Sequence, residues 1–226
     1  MIRSMMKYYD EAHQREDNIK EYISTLESGS VFYDLGANLG WFALYAASIG
    51  LKTYAFEVDD NNFLGLQENA KQFDFPNLEL FNIGIADRKR SVLLRKYDNV
   101  IGSHRKTLEL DDFAASDRVI SYNHTKMIEV DSLDNIIQEK SLPYPDYLKV
   151  DIDGSEHAFL VGSPNTLTNA KSLVIELCKE NSRYDDCVAI LLSYGFIEKE
   201  RYSIHNEDKL FNVVFDKNAE HLQNAC

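Results

Sequence analysis

Short β-rich runs alternate with helical segments in the first 85 residues of the chain. Residues 31–35, 53–57 and 78–85 are apolar and rich in β-formers, whereas residues 41–49 and 60–73 carry helical periodicity. This alternation predicts an α/β fold with a mostly parallel sheet and right-handed crossover connections. Further along the chain the alternation resumes, with predicted helices at 133–140, 155–161 and 184–193 and predicted strands at 147–152 and 172–177.

Two parts of the chain depart from this alternation. Residues 91–97 predict an additional strand, and residues 98–125 form a polar, irregular insertion that is too long for an ordinary loop. We expect this insertion to act as a substrate lid. Residues 196–215 hold two β-rich runs with no helix between them, which predicts a closing antiparallel pair.

Length, charge and cysteine content limit the class of protein. The 226 residues suit one domain (1–226), in which residues 1–29 would be an N-terminal helical extension. A net charge of −13 argues against general nucleic-acid or anionic-membrane binding. No segment approaches the roughly 20 apolar residues of a membrane span. Three cysteines without a CxxC pair, and no apolar core near the N-terminus, lead us to expect a cytoplasmic protein.

A glycine-containing loop follows the first predicted strand. It contains Asp34, Gly36, Asn38 and Gly40, at the sheet edge where nucleotide-like ligands bind. Glu57 ends the second strand 23 residues after Asp34, close to the spacing of a carboxylate that holds ribose hydroxyls. The simplest alternative is a tight β–α turn without a ligand.

The residues of this loop distinguish between two cofactors. A dinucleotide fingerprint would read G-x-G-x-x-G, but Asn38 replaces the second glycine and Trp41 stands at the third. Asp34 would repel a pyrophosphate and would suit the ammonium and sulfonium groups of S-adenosylmethionine. The loop therefore favours S-adenosylmethionine over NAD.

The stretches 31–43 and 55–58 resemble the first two motifs of the FkbM-type S-adenosylmethionine-dependent methyltransferases. The resemblance extends over roughly residues 30–177. It implies a Rossmann-like class I methyltransferase fold, with a mostly parallel seven-stranded sheet, an antiparallel C-terminal strand and helices on both faces. It also implies cofactor contacts: Asp34, Gly36, Asn38 and Gly40 at the methionine end, Glu57 at the ribose, Gly84 beside the adenine, and Asp87 nearby.

A second motif runs from Lys149 to Glu156 at the end of the predicted strand 147–152. Charged residues in an apolar strand are expensive to bury unless they are paired or functional. A purely structural interpretation is a Lys149–Asp151 pair followed by a helix cap, with Glu156 favouring the helix dipole. The functional interpretation places Asp151 next to the transferred methyl group, where it would orient the acceptor hydroxyl or take its proton.

The FkbM pattern and the neighbouring elements add candidates for the acceptor side. The family consensus has Glu where this chain has Asp153, an exchange that keeps the charge and shortens the reach. Glu176 ends the next strand on the same rim, where the family often has Glu. His104, His124 and His157 could also reach this edge as bases. Our catalytic candidates are Asp151, Lys149, Glu176 and His104.

Residues 86–106 contain seven lysines and arginines against two aspartates, a net charge of +5 within an acidic chain. Such a patch can steer an anionic ligand, for example an acceptor with a phosphate or carboxylate. The alternative is a solvated hairpin face that binds nothing.

The favoured function is an O-methyltransferase that acts on a hydroxyl of a sugar or of a related glycan or natural product. The oxygen acceptor and the sugar come from the FkbM resemblance. The alternatives are an NAD-dependent oxidoreductase and an inactive protein that binds S-adenosylmethionine as a partner of another protein. We expect no metal, although Asp151, Asp153 and Glu176 are oxygen ligands suited to Mg²⁺ or Ca²⁺. A homodimer is left open.

Overall fold

The computed structural model describes residues 17–103, 106–110, 122–204 and 209–218. The helices in this part of the chain are α1 (Asp17–Ser24), α2 (Trp41–Ser48), α3 (Asp60–Lys71), α4 (Leu133–Lys140), α5 (Glu156–Gly162), α6 (Pro164–Asn169) and α7 (Tyr184–Ser193). The strands are β1 (Val31–Leu35), β2 (Lys52–Glu57), β3 (Leu78–Asn82), β4 (Gly84–Ile85), β5 (Arg90–Lys96), β6 (Lys106–Leu108), β7 (His124–Asp131), β8 (Tyr147–Val150), β9 (Ser172–Cys178), β10 (Phe196–Ser203) and β11 (Leu210–Lys217).

The main sheet has seven strands in the order β10-β11-β9-β8-β1-β2-β3. Strands β3, β2, β1, β8 and β9 are parallel to one another, and β11 is antiparallel to both of its neighbours. This arrangement confirms the Rossmann-like fold that the alternation and the family resemblance predict. In parallel strands the carboxyl ends share one edge, so the ends of β1, β2 and β8 lie side by side.

Helices cover both faces of the main sheet, as expected. Successive residues of β1 point to opposite faces, so Phe32 packs with α1 and α2, whereas Tyr33 packs with residues of α4, α5 and α7. Helix α1 falls within the predicted N-terminal extension, and residues 1–16 lie outside the described part of the chain.

A second sheet, in the order β4-β7-β5-β6, is the main feature that the sequence did not predict. The single strand expected over 78–85 is divided at Ile83. Strand β3 is an edge strand of the main sheet, where it pairs with β2, whereas β4 pairs with β7 in the second sheet. Strand β5 confirms the expected strand at 91–97. Strand β6 and the start of β7 lie in the stretch 98–125, which we expected to be irregular.

Candidate active site

The loop between β1 and α2 turns sharply because three of its residues have a left-handed backbone. Gly36 has a φ of 82°, Asn38 of 50° and Gly40 of 88°. The amide of Gly36 donates to the carbonyl oxygen of Phe56 at 3.0 Å, which folds the loop against the end of β2. A Cβ atom on Gly36 would lie only 1.8 Å from the carbonyl oxygen of Asp151. This position therefore requires glycine, and the absence of a side chain brings β1 and β8 together at the sheet edge.

Glu57 ends β2 as a buried carboxylate that accepts three hydrogen bonds. Its Oε2 accepts from the amide of Asn38 at 2.8 Å, and its Oε1 accepts from the amide of Asp59 at 2.7 Å. Oε1 also accepts from Lys106 Nζ at 2.5 Å. A carboxylate has about four lone-pair positions, so roughly one position on Glu57 stays available to a ligand.

Lys106 is a component of this site that the sequence analysis did not single out. It belongs to β6, in the stretch predicted to be a lid, and its side chain is only 9% exposed. Burial lowers the pKa of Lys106, but the nearby carboxylates of Glu57 and Asp153 outweigh burial and raise it. A lysine in a long polar insertion carries no sequence signal of where its ammonium group will lie, so only the fold reveals this contact.

A partly open cavity lies between the glycine loop, the end of β2 and the second sheet. Its charged lining consists of Glu57, Lys106, Asp151 and Asp153. Apolar side chains line the rest, among them Phe56, Val58, Ile83, Leu94, Leu108 and Ile152. Gly84 is also in the wall, where a Cβ atom would lie 2.7 Å from a methyl carbon of Val130.

Asp34 and Lys149 form a buried ion pair beneath the glycine loop. They are register partners on β1 and β8, and Lys149 Nζ lies 3.2 Å from Asp34 Oδ1. The same ammonium group donates to the carbonyl oxygen of Gly36 at 2.9 Å and lies 3.6 Å from Asp151 Oδ2. Burial raises the pKa of Asp34, although the charge of Lys149 opposes this effect. Asp34 is 0% exposed, and its buried carboxylate is paired with Lys149.

The loop after β8 carries two carboxyl groups in the cavity wall. The side chain of Asp151 is more accessible than that of its neighbour Lys149, since the two are 28% and 4% exposed. Asp153 has a φ of 52°, which is rare for a residue with a side chain. Burial raises the pKa of Asp153 well above its ordinary value, and the charge of Lys106 opposes this rise.

Glu156 supports this loop from the first turn of α5. Its Oε1 accepts hydrogen bonds from the amides of Ile152 and Gly154, each at 3.2 Å. Burial raises the pKa of Glu156 to about 7, and the hydrogen bonds from the amides oppose that rise. The sequence places Glu156 correctly in a first helical turn, but it does not reveal that the side chain turns back to the loop.

Glu176 lies on the rim next to Asp151. Its neighbour Ile175 pairs with Val150, the last residue of β8, so Glu176 is level with Asp151 at the carboxyl edge of the sheet. Asn212 of β11 is its register partner on the other side. The structure therefore brings Glu176 to the same edge as Asp151.

The other predicted residues lie elsewhere. Both oxygens of Asp87 accept hydrogen bonds at 2.7 Å from arginines one and three residues further along the chain, and Asp87 does not line the cavity. His124 begins β7 as an exposed residue, and His157 lies on α5, where burial lowers its pKa. His104 lies outside the residues that the structure describes.

The described cations of the basic segment 86–106 are all paired with carboxylates. The ion pairs join Arg88 and Arg90 to Asp87, Lys89 to Glu139, Arg95 to Glu109, Lys96 to Asp59 and Lys106 to Glu57. Because these charges are compensated within the chain, the segment offers little support for an anionic acceptor. The pairing favours the interpretation of the segment as a hairpin face.

Metal-binding clusters and membrane-spanning helices are both absent from the described part of the chain. No group of three or more histidine, cysteine, aspartate or glutamate side chains there is arranged to hold a metal ion. No helix among these residues is long and apolar enough to cross a membrane.

Comparison with known families identifies the class of enzyme. Residues 34–198, most of the chain, match the model of the methyltransferase FkbM domain. The protein belongs to the FkbM methyltransferase family. Its FkbM domain is of the S-adenosylmethionine-dependent methyltransferase type, and the hypothesis of an NAD-dependent oxidoreductase is set aside.

A curated relative and two solved structures resemble this FkbM methyltransferase. The hexuronic acid methyltransferase AglP of Haloferax volcanii is 24% identical over 163 residues, which are 72% of this chain and 62% of the relative. The chain thus covers less than two thirds of that relative's length.

The structures show the same fold at low identity. Precorrin-6y C5,15-methyltransferase from Geobacter metallireducens has a TM-score of 0.54 and 11% identity. The match covers 90% of this chain and 87% of that enzyme. The Streptococcus mutans protein SMU.1697c was solved with S-adenosylhomocysteine and has a TM-score of 0.54 and 13% identity. The match covers 90% of this chain and 97% of that protein.

The residues around the cavity suit S-adenosylmethionine. The cavity borders the glycine loop at Gly36, and its apolar side chains provide a surface for an adenine ring. Among the described residues, the carboxyl groups of Glu57, Asp151 and Asp153 line the cavity beside the ammonium group of Lys106. A cationic sulfonium is favoured in such surroundings, whereas a pyrophosphate would be repelled.

Proposed function

We propose that this methyltransferase transfers the methyl group of S-adenosylmethionine to a hydroxyl group of a sugar or of a related glycan or natural product. The acceptor class is supported by the similarity of 163 residues to a hexuronic acid methyltransferase. At 24% identity this similarity supports sugars as a class and does not single out one of them.

On the cofactor side we assign the ribose to Glu57. Its carboxylate already holds the amide of Asn38, so the ribose-binding group and the glycine loop are fixed relative to each other. Gly84 would leave room beside the adenine, and the loop residues would surround the methionine end, with Asp34 as a buried support. We assign no cofactor contact to Asp87, since its two oxygens are used by arginines.

On the acceptor side we assign the main role to Asp151. S-adenosylmethionine, when bound, supplies an electrophilic methyl carbon. Asp151 would accept a hydrogen bond from the acceptor hydroxyl and direct its oxygen at that carbon, with Lys149 holding the carboxylate in place and Glu176 on the same rim. The oxygen–carbon bond forms as the carbon–sulfur bond breaks, and the hydroxyl proton passes to Asp151 or to water. Alignment of this kind supplies on the order of 7 kcal/mol or more.

The proposal is tested by incubating the purified protein with S-adenosylmethionine and a panel of glycosides that includes hexuronides. We expect release of S-adenosylhomocysteine together with a product heavier by one methylene group. Mild alkali then separates two outcomes, because a methyl ester is hydrolysed and a methyl ether is stable. An ester would contradict the hydroxyl acceptor. Binding of S-adenosylhomocysteine without turnover on any member would favour the inactive partner protein.

An Asp151→Asn variant tests the assignment of the acceptor side. We expect kcat to fall by about 10²-fold or more if Asp151 takes the proton, and by less if it only positions the hydroxyl. The affinity for S-adenosylhomocysteine should stay near that of the wild type. Asp60→Asn is the control, since this exposed carboxylate is paired with Lys126 outside the cavity. A normal kcat at saturating S-adenosylmethionine, combined with a weakened affinity for the cofactor, would move Asp151 to the cofactor side.

A cytoplasmic location remains part of the proposal. It is supported by the thiols of Cys178 and Cys187, which are both free. Cell fractionation with an antibody against the protein would test it, and recovery from an oxidising compartment would contradict it.

A further inference from the structure

The loop between β8 and α5 has an uncommon backbone. Asp153 has a φ of 52° and Gly154 has a φ of 99°, so two consecutive residues lie in the left-handed region. A residue with a side chain rarely adopts this conformation, and it persists where the surroundings hold it. Ser155, which precedes α5, makes no side-chain hydrogen bond that would cap the helix. Another group must therefore hold the loop.

Glu156 is that group. One oxygen of its carboxyl group accepts hydrogen bonds from the amides of Ile152 and Gly154, on both sides of the left-handed Asp153. The residue is only 7% exposed, so water competes little for these bonds. The contact is local to the loop, and Glu156 itself does not line the cavity.

The loop in turn forms one wall of the cofactor cavity. Asp151, Ile152 and Asp153 all line that cavity. The carbonyl oxygen of Asp151 also packs so closely on Gly36 that a Cβ atom could not be accommodated there. A change in the loop would therefore move the charged wall and the glycine loop together.

We propose that Glu156 is a positioning residue, whose hydrogen bonds to the amides of Ile152 and Gly154 set the shape of the cofactor cavity. This inference rests on the proposed binding of the cofactor in that cavity. It assigns to Glu156 no contact with the cofactor or the acceptor. The hydrogen-bond acceptor, and not the negative charge, is the part of the side chain that matters.

Asp134 offers a matched control within the same chain. Its carboxylate, also nearly buried, accepts from the amides of Asn165 at 2.7 Å and Thr166 at 2.8 Å, at the start of α6. It therefore has the same structural role as Glu156, the support of backbone amides, but it does not line the cofactor cavity. Loss of either carboxylate should lower stability, whereas only loss of Glu156 should alter the cavity.

The experiment is calorimetric titration of S-adenosylhomocysteine into wild type, Glu156→Ala, Glu156→Asp, Glu156→Gln and Asp134→Ala. We expect Glu156→Ala to weaken binding by roughly tenfold, on the order of the net contribution of one hydrogen bond, because the loop that forms the cavity wall loses its support. Glu156→Asp keeps the charge but is too short to reach both amides, so it should also weaken binding. This variant provides the test if the alanine variant does not fold. Glu156→Gln keeps the acceptor oxygen and should bind within about twofold of wild type.

Hydrogen exchange and one further variant distinguish a wrong positioning role for Glu156 from a wrong cofactor site. The amides of Ile152 and Gly154 should exchange faster in Glu156→Asp and not in Asp134→Ala. Wild-type affinity in Glu156→Asp, or an equal loss in Glu156→Gln, would overturn the positioning role. A Glu57→Gln variant that binds S-adenosylhomocysteine normally would instead show that the proposed cofactor site is wrong.

Discussion

Replacement of Glu156 by glutamine should change how the stability of the protein depends on pH. Burial raises the pKa of the Glu156 carboxyl from 4.5 to about 7, and the charge of Asp151 adds to the rise. The thiol of Cys187 on α7 also faces this carboxyl, and its own pKa is raised to about 12, mainly by burial. The ionised form of Glu156 is thus disfavoured in the folded protein.

The sign and size of the effect follow from proton linkage. Because the pKa of Glu156 is higher in the folded than in the unfolded state, its stabilising contribution is complete below about pH 4.5 and is lost as the pH rises through about 7. The difference between these pKa values corresponds to about 3 kcal/mol over the whole range, and to about 2 kcal/mol between pH 5 and pH 8. Glutamine does not titrate. We therefore expect the free energy of unfolding of Glu156→Gln, relative to wild type, to increase by about 2 kcal/mol from pH 5 to pH 8.

The measurement is urea unfolding of both proteins at four values between pH 5 and pH 8. The comparison cancels the titration of all groups that the two proteins share. Glu139→Gln is the control: its exposed carboxylate is paired with Lys89, which lowers its pKa, so its difference from wild type should stay flat over this range. A flat difference for Glu156→Gln as well, or one that decreases with pH, would refute the reasoning.

Three further results are expected. Gly36→Ala should give little folded protein in a soluble-expression or thermal-melting assay, because the added carbon would lie 1.8 Å from the Asp151 carbonyl oxygen at a φ of 82°. Lys106→Met should bind S-adenosylhomocysteine roughly threefold to tenfold more tightly in calorimetry, since the ammonium would compete with the ribose that we propose for Glu57, whereas Lys96→Met should not. Turnover should survive EDTA treatment, and loss of activity that Mg²⁺ restores would contradict this expectation.

The elements predicted well are those whose sequence pattern reflects their surroundings. Strand β1 is apolar at four of its five positions and buried at all but the first, and α2 is apolar on all sides because the sheet and α1 enclose it. Both patterns are local, so they can be recognised without knowledge of the fold. The glycine loop was recognised for the same reason, since its turn needs particular residue types at particular positions.

Of the second sheet only β5 was predicted as a separate strand, because β6 and β7 lack a clear local pattern. Strand β7 is exposed over its first four residues, and β6 has only three residues. Strand β6 is too short to show the alternation of apolar and polar residues that marks a half-buried strand, and in β7 this alternation is confined to residues 128–131. The pairing of both strands depends on contacts distant in sequence. The partners of the Lys106 and Glu156 side chains were not predicted for a related reason: the residue type indicates a charge, but only the fold determines which group that charge contacts.

The charges around the cavity also bear on the release of product. Methyl transfer converts a cationic sulfonium into a neutral thioether, so a negative wall would stabilise the substrate form of the cofactor more than the product form. Of the charged groups that line the cavity, Lys106 is placed to reduce this difference, because its ammonium group contacts Glu57 directly. Asp34 contributes little to it, since Lys149 neutralises that carboxylate beneath the loop. The preference for S-adenosylmethionine over S-adenosylhomocysteine should therefore depend on Asp151 and Glu57 more than on Asp34, although all three carboxylates belong to the same sheet edge.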